Sequence, residues 1–214
     1  MISISGISKL HLYSQKLLPI TALALLPAMS SVQAQDVFEK QSVKVEVLAE
    51  QAFKTQLPEE ELKAAPSPII TIANEEKIAG IVIDLSKNKL YRYDSLGNVT
   101  DGYIIASGKL GKNGKSITDC GIRMVDHIEK YPYSGAYGTK RKLNPKAYGP
   151  NVLYLVSINP KDGSCVGSNG EFIHGNNDFS SLGKYASKGC IRMENAVIRK
   201  FADEVEKGTY VLIK

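Results

Sequence analysis

Histidine and cysteine are scarce in this sequence, with three of each among 214 residues. One histidine lies within the first 34 residues, which leaves only His127 and His174 in the rest of the chain. Two histidines and three scattered cysteines do not have the ligand spacing of a metal site. A glycine-rich phosphate-binding loop is also absent. The sequence therefore predicts neither a metal nor a cofactor.

A strong excess of one charge is missing as well. The formal net charge is +5, and Lys9 and Lys16 supply two of the positive charges. From Gln35 onward, 25 basic residues stand against 22 acidic ones. This excess is too small to indicate nucleic-acid binding, although it is compatible with an anionic substrate.

Long hydrophobic runs are limited to one, close to the N-terminus. Lys9 and Lys16 precede an apolar run over 17–29, and small residues stand where a signal peptidase reads the chain. This pattern predicts a secretory signal peptide over 1–34. Thirteen apolar residues are too few to span a bilayer comfortably, no cysteine follows them for a lipid anchor, and stable membrane insertion is not expected.

Export bears on the cysteines, because cysteines outside the cytosol are usually oxidised in pairs. An odd number leaves at least one as a thiol or joined to another molecule. A Cys120–Cys165 disulfide with Cys190 left as a thiol is one arrangement, and three pairings are possible. In the chain-entropy model such a bridge would stabilise the fold by ~4 kcal/mol.

The pattern along the rest of the chain is that of a β-rich domain. Residues 35–76 end in a proline-punctuated stretch and are interpreted as an N-terminal extension and linker. From Lys77 onward, short β-branched runs alternate with turn residues. These runs predict strands at 78–84, 90–93, 99–107, 152–158, 171–174 and 209–213.

One helix is expected near the C-terminus. Asn195 is expected to cap its start and Gly208 to close its end. Its apolar stripe follows helical spacing and consists of Val197, Ile198, Phe201, Ala202 and Val205. The domain over 77–214 is therefore predicted to be mainly β with one C-terminal helix.

A histidine and a cysteine near the end of the domain form a candidate catalytic pair. A nucleophilic thiol needs a base, and the base needs an orienting group. His174 ends a predicted strand before Gly175, and Cys190 follows 16 residues later among small residues. Gly189 would let the backbone approach a substrate carbonyl, so that nearby amides face a developing oxyanion. A lone histidine or cysteine is more often structural, but the combination favours catalysis.

Residues 173–195 carry a resemblance to a known family. The stretch I-H-G-N-N-D-F-S-S-L-G-K-Y-A-S-K-G-C-I-R-M-E-N resembles the signature of the L,D-transpeptidase catalytic domain, also called the YkuD domain. Segments 81–94, 104–111 and 144–151 resemble that family's opening hairpin, third strand and loop before the central strands. The likeness spans 77–214 and implies an L,D-transpeptidase-type β-sandwich.

The resemblance implies a periplasmic or cell-wall-facing enzyme that acts on peptidoglycan stem peptides. Cys190 would attack the carbonyl before the terminal D-Ala of a tetrapeptide stem, and an amine would resolve the thioester. His174 would be the base, oriented by the carbonyl of Gly175. Ser187 and Gly189, with the amide of Cys190, would shape the oxyanion site.

The resemblance also implies substrate contacts and inhibitors. Arg192 would hold the loop or meet a substrate carboxylate, and Lys188, where the family often has histidine, is a possible stem contact. Carbapenem-type β-lactams would acylate the thiol. Resolution by water would make the enzyme an L,D-carboxypeptidase instead, and a peptidoglycan-binding module without turnover is a further alternative.

Three features outside this constellation have weaker interpretations. Cys120 lies in T-D-C-G (118–121), where the family has T-P-T-G, and is interpreted as a disulfide partner or bystander. His127 lies in a polar context and is expected to be solvent-exposed structure. The tyrosine- and lysine-rich stretch 131–151 is equally compatible with a lid over a groove and with a solvated basic loop.

Overall fold

The structure, a computed structural model, describes residues 54–131, 147–176 and 178–214. The predicted signal peptide, the first part of the predicted extension and residues 132–146 of the tyrosine- and lysine-rich stretch lie outside the described residues. Among the described residues, no helix has the length and apolar character needed to cross a membrane.

The described part of the chain contains short strands and two α-helices. Helix α1 is Glu59–Leu62, helix α2 is Asn195–Glu204, and a 3-10 turn covers Phe179–Ser181. The strands are β1 (Ile69–Ile72), β2 (Glu75–Ile78), β3 (Ile81–Asp84), β4 (Lys89–Tyr93), β5 (Val99–Ile104), β6 (Ser107–Gly108), β7 (Gly121–Lys130), β8 (Asn151–Ile158), β9 (Cys165–Gly167), β10 (Phe172–His174), β11 (Tyr185–Ser187), β12 (Ile191–Arg192) and β13 (Tyr210–Ile213).

Nine strands form one curled sheet whose two ends meet. Their order is β12-β10-β8-β7-β13-β3-β4-β5, with β9 beside β8. Just after β5, Ala106 bridges to Arg192 in β12, at the opposite end of the sheet. The neighbouring strands β6 and β11 form a separate parallel pair at this seam. The predicted mainly β fold is confirmed, and its closing seam runs beside the Cys190 loop.

Helix α2 supplies one side of the main core. Its apolar stripe packs against alternate residues of the curled sheet, because residues three and four apart share one helix face. The Phe201 ring meets Tyr103 edge-on, with ring centroids 5.9 Å apart. Full burial of each such side chain contributes about 1.5–3 kcal/mol. The predicted helix and its core face are therefore present.

Both ends of α2 differ from the prediction. Glu194 occupies the N-cap position, so Asn195 is the first helical residue and does not cap it. The helix ends at Glu204, since Val205 is already extended. Gly208 instead adopts a left-handed φ of 91° in the turn before β13. The Asn195 side chain does not cap the helix and instead accepts a hydrogen bond from the Asn176 amide.

The segment predicted to be a linker is partly folded onto the domain. Leu57, Ile70 and Ile72 are buried in a second apolar cluster, which also contains Val82 of β3. The Leu57 amide donates to the carbonyl of Gly102 in β5, at 2.8 Å. Residues 54–76 therefore differ from the linker prediction, because their apolar side chains cover the outer face of the sheet.

A buried hydrogen bond ties this segment to the start of α2. The Thr55 hydroxyl donates to Glu194 Oε2 at 2.9 Å, and both residues are buried. Burial raises the pKa of the Glu194 carboxyl, while the Thr55 hydrogen bond and the charge of Lys54 act in the opposite direction. The segment before β1 is thus anchored four residues beyond Cys190.

The suggested Cys120–Cys165 disulfide is not formed. Both residues are exposed thiols, and no bridge joins any two of the cysteines, all of which the structure describes. Cys165 lies in β9, and Ser157 of β8 pairs with β9 on one side and β7 on the other. Strand β8 thus separates Cys165 from β7, whose start follows Cys120. Strands two apart lie about 10 Å from each other, beyond the ~7 Å Cα limit of a disulfide.

Candidate active site

Strands β10 and β12 bring the sequence-predicted pair together on one face. They run parallel, with Ile173 opposite Ile191 and His174 opposite Arg192. Ile173 and Ile191 both point into the main core. Because successive side chains alternate between faces, His174 and Cys190 belong to the opposite face. Cys190 directly precedes β12, so continuation of the same register would place it diagonally across from His174.

The His174 ring is held in one orientation by the chain that follows it. Its Nδ1 lies 2.6 Å from the carbonyl oxygen of Gly175. A carbonyl only accepts hydrogen bonds, so Nδ1 must carry the proton and Nε2 the lone pair. His174 is buried, at 3% exposure. The imidazole is therefore in the tautomer whose Nε2 can take a proton.

The peptide that orients His174 is itself held by Asn195. The Asn176 amide donates to Asn195 Oδ1 at 2.8 Å. This amide and the Gly175 carbonyl belong to the same trans peptide group, in which N–H and C=O point in opposite directions. Asn195 therefore fixes one edge of the peptide while the other edge holds the imidazole.

Glycine at 175 is a steric requirement of this arrangement. A Cβ there would lie 2.8 Å from Pro150 Cδ and 2.9 Å from Gly149 Cα, and closer still to Asn195 Oδ1. Contacts this short require rigid backbone to move. The two glycines thus make the space that lets the Asn195 carboxamide reach the peptide.

The Cys190 turn is closed by a neighbouring serine. Ser187 Oγ donates to the Cys190 carbonyl at 2.5 Å and accepts from the Gly189 amide at 3.0 Å. Gly189 has a φ of 126°, a region that disfavours side chains, although nothing lies within 4 Å of its missing Cβ. Glycine is required here by backbone conformation. Cys190 is partly exposed, and its Sγ lies 3.8 Å from the Gly170 carbonyl.

Thr118 holds this turn from beneath. It is buried at 2% exposure. Its hydroxyl accepts from the Gly108 amide at 2.8 Å and donates to the Gly189 carbonyl at 2.7 Å. One side chain therefore joins strand β6 to the peptide that precedes Cys190.

A buried ion pair fixes the backbone next to Thr118. Glu171 accepts from the Asp119 amide at 2.7 Å and from Arg123 Nε at 3.2 Å. The side chains of Arg123 and Glu171 are both buried. Removing one partner of such a pair typically costs about 3–5 kcal/mol. The Arg123–Glu171 pair links the start of β7 to the start of β10. It therefore connects the Cys190 turn to the strand that carries His174.

The two basic residues predicted to contact substrate occupy different settings. Arg192 is half-buried on the same face as His174, and its backbone exchanges both hydrogen bonds with Ala106. Its buried Nε has no hydrogen-bond partner within the described part of the chain. Lys188 is exposed on the turn before Cys190. Arg192 thus holds the seam through its backbone, and its side chain lies beside the histidine.

Aromatic rings line the same face of the sheet. Tyr148 packs on His174, with ring centroids 4.9 Å apart. His127 stacks on Tyr154 at 3.9 Å, with the planes 10° apart, and its Nδ1 lies 2.8 Å from Asp126. His127 is therefore stacked and only partly exposed, with 31% of its side chain accessible, and not the fully solvent-exposed residue that was predicted.

No group of three or more histidine, cysteine, aspartate or glutamate side chains within 54–131, 147–176 and 178–214 has the geometry to hold a metal ion.

The family comparison agrees with the geometry. Residues 79–213 match the model of the L,D-transpeptidase catalytic domain. The chain belongs to the L,D-transpeptidase catalytic domain family. The match covers the curled sheet, α2 and both members of the candidate pair.

Individual relatives also match part of the chain. The YkuD protein of Bacillus subtilis (strain 168) is 37% identical over 104 residues, which are 49% of this chain and 57% of that protein. The chain therefore spans little more than half the length of this relative. A crystal structure of an Enterococcus faecium L,D-transpeptidase mutant is 24% identical, with a TM-score of 0.45 over 64% of this chain and 49% of that one.

A third relative was solved with an inhibitor attached. It is the catalytic domain of an Enterococcus faecium L,D-transpeptidase acylated by ertapenem. It is 23% identical, with a TM-score of 0.39, and covers 65% of this chain and 99% of that one.

Sequence reasoning missed two residues of this L,D-transpeptidase domain that position the pair. Asn195 was interpreted as a helix cap because asparagine is a preferred capping residue. Thr118 lies in T-D-C-G, where the family has T-P-T-G, and that likeness was the available signal, but only Cys120 of this stretch was interpreted. Both residues act through contacts with distant segments, which local patterns do not report.

Proposed function

We propose that the chain is an exported L,D-transpeptidase that uses Cys190 as a nucleophile on peptidoglycan tetrapeptide stems. The observation that carries this proposal is the parallel register of β10 and β12, with His174 and Cys190 on one face of adjacent strands. The Nδ1-protonated imidazole supports a role for Nε2 as general base,.

The proposed reaction has two steps that share one base. In the first, Cys190 sulfur bonds to the carbonyl carbon before the terminal D-Ala, and His174 takes the thiol proton. The C–N bond to D-Ala then breaks, and the imidazolium returns the proton to the departing amine. In the second, an acceptor amine attacks the thioester, His174 takes its proton, and the Cys190 thiolate leaves before being reprotonated. A neighbouring imidazole favours the thiolate throughout.

The charge around the turn supports an anionic substrate. Segments 107–118 and 179–193 contain six of the 25 basic residues after residue 34, and no acidic ones. The rest of the chain after residue 34 has 19 basic and 22 acidic residues. The lysines of these two segments are exposed and form no ion pair with another described residue. They are Lys109, Lys112, Lys115, Lys184 and Lys188.

The two segments lie side by side, so their charges add locally. Strand β6 pairs with β11, and the Lys109 amide donates to the Ser187 carbonyl at 3.0 Å. A surface with charges of one sign attracts ligands of the opposite charge. Salt screens this attraction beyond about 10 Å. Stem peptides carry carboxylates at their ends and side chains, which fits this setting.

The decisive assay uses the purified chain with a tetrapeptide-stem fragment of peptidoglycan. We expect release of D-Ala together with cross-linked stem dimers, each lacking one D-Ala by mass spectrometry. Release of D-Ala with tripeptide alone would identify an L,D-carboxypeptidase. Binding of the fragment without any change in its mass would instead identify a peptidoglycan-binding module and reject the proposal.

Export is part of the same proposal and rests on the pattern of residues 1–34. N-terminal sequencing of the mature protein from a secreting host should begin at Gln35. Recovery of an uncleaved chain from the cytoplasm alone would contradict it.

A further inference from the structure

The peptide between Gly189 and Cys190 has one edge fixed by a buried side chain. The Gly189 carbonyl accepts a hydrogen bond from Thr118 Oγ1 at 2.7 Å. In a trans peptide the N–H points away from the C=O. The Cys190 amide is therefore directed away from Thr118. Thr118 is almost fully buried, whereas Cys190, which carries that amide, is partly exposed.

The amide of Gly189 has a hydrogen-bond acceptor within the turn. The Gly189 N–H donates to Ser187 Oγ at 3.0 Å. The sequence-based expectation gave Gly189 and Ser187 a place in the oxyanion site. Their mutual hydrogen bond is part of the frame of the turn that carries the Cys190 amide.

Hydrogen bonds on both sides of Thr118 fix its position. Its hydroxyl also accepts from the Gly108 amide, and the Asp119 amide is held by the buried Glu171 carboxylate. Both the strand before it and the residue after it are therefore anchored. Preorganised donors of this kind stabilise the charge that develops on a carbonyl oxygen under attack.

Resting on the proposed function, we infer that Thr118 is a positioning residue for acyl transfer, which aims the Cys190 amide at the developing oxyanion by holding the opposite edge of its peptide. The residue touches no reacting atom. Its hydroxyl affects the reaction through the hydrogen bond to the Gly189 carbonyl.

The test compares two reactions of the same thiol, each followed on the peptide that contains Cys190, because Cys120 and Cys165 are exposed thiols as well. Acylation by a carbapenem places negative charge on a carbonyl oxygen, whereas alkylation by iodoacetamide displaces iodide at a saturated carbon and forms no oxyanion. Loss of an oxyanion donor costs about 10²–10³-fold in rate. A donor that is kept but misdirected should cost less, so Thr118→Val is expected to slow carbapenem acylation about 10–100-fold and alkylation by no more than about twofold.

Two variants serve as controls. Thr118→Ser keeps the hydroxyl and should restore acylation to within about threefold of the wild type. Thr100→Val makes the same substitution as Thr118→Val at an exposed threonine of β5, whose hydroxyl donates to the Arg92 carbonyl at 3.3 Å and touches neither Gly189 nor Thr118. It should acylate within about threefold of the wild type. If Thr118→Val does not fold, Thr118→Ala removes the same hydroxyl without its replacement methyl.

The outcomes separate this inference from the proposed function. Unchanged acylation in the hydroxyl-free variant, or equal slowing of both reactions, would reject the role of Thr118 and leave the proposed function intact. A wild-type protein that reacts with iodoacetamide but not with the carbapenem or the stem peptide would reject both.

Discussion

Replacing Cys190 with alanine should reduce carbapenem labelling from one adduct per chain to none, and D-Ala release to background. In the proposed mechanism the Cys190 thiol forms the covalent intermediate, so its removal takes away the nucleophile. Intact-protein mass spectrometry after exposure to the carbapenem measures the first effect. Incubation with the tetrapeptide stem measures the second.

The two other cysteines provide matched controls for that result. Cys120 directly precedes β7, Cys165 begins β9, and both are exposed thiols. Cys120→Ala and Cys165→Ala should each keep one adduct per chain and activity within about twofold of the wild type. An adduct that persists in Cys190→Ala, or disappears in Cys120→Ala, would show that Cys190 is not the nucleophile.

The candidate pair was accessible from the sequence because local patterns determine both of its strands. Phe172 and Ile173 form an apolar run that ends at His174, and the small residues before Cys190 predict a turn. The stripe of α2 was equally legible, since helical spacing alone identifies its core face. Register between β10 and β12 was not accessible, because pairing of distant strands depends on the whole sheet.

Strand β7 illustrates what the pattern conceals. Val125 and Ile128 both face the main core although they are three residues apart. A bulge between Val125 and His127 inserts one residue and shifts the alternation,. A search for strict alternation therefore does not recognise the strand. The same shift turns His127 onto Tyr154, which is why a histidine in a polar stretch is stacked rather than exposed.

The site is built from two peptide groups that are used in the same way. Asn195 holds the N–H edge of the Gly175–Asn176 peptide, so that its carbonyl orients the imidazole. Thr118 holds the carbonyl edge of the Gly189–Cys190 peptide, so that the N–H of this peptide points away from Thr118. A buried side chain in each case fixes one edge of a rigid plane and thereby aims the other.

Replacing His174 with asparagine should slow carbapenem acylation and stem-peptide turnover about 10²–10⁴-fold, the usual contribution of a general base. Asparagine can still donate to the Gly175 carbonyl from the position of Nδ1, so the peptide remains satisfied while the Nε2 base is removed. Unlike Thr118→Val, this variant should also alkylate slowly at pH 7. Its iodoacetamide rate should rise with pH as for an ordinary cysteine, which ionises near about pH 8.5.

The control for this variant is the other histidine. His127→Asn removes a ring of β7 that stacks on Tyr154 of β8. Strand β7 lies three strands from β12 in the sheet. Both reactions should therefore stay within about threefold of the wild type. Full activity in His174→Asn would remove the general base from the mechanism. Slow acylation with unchanged alkylation would limit His174 to a role after attack, since a base that generates the thiolate must accelerate every reaction of that sulfur.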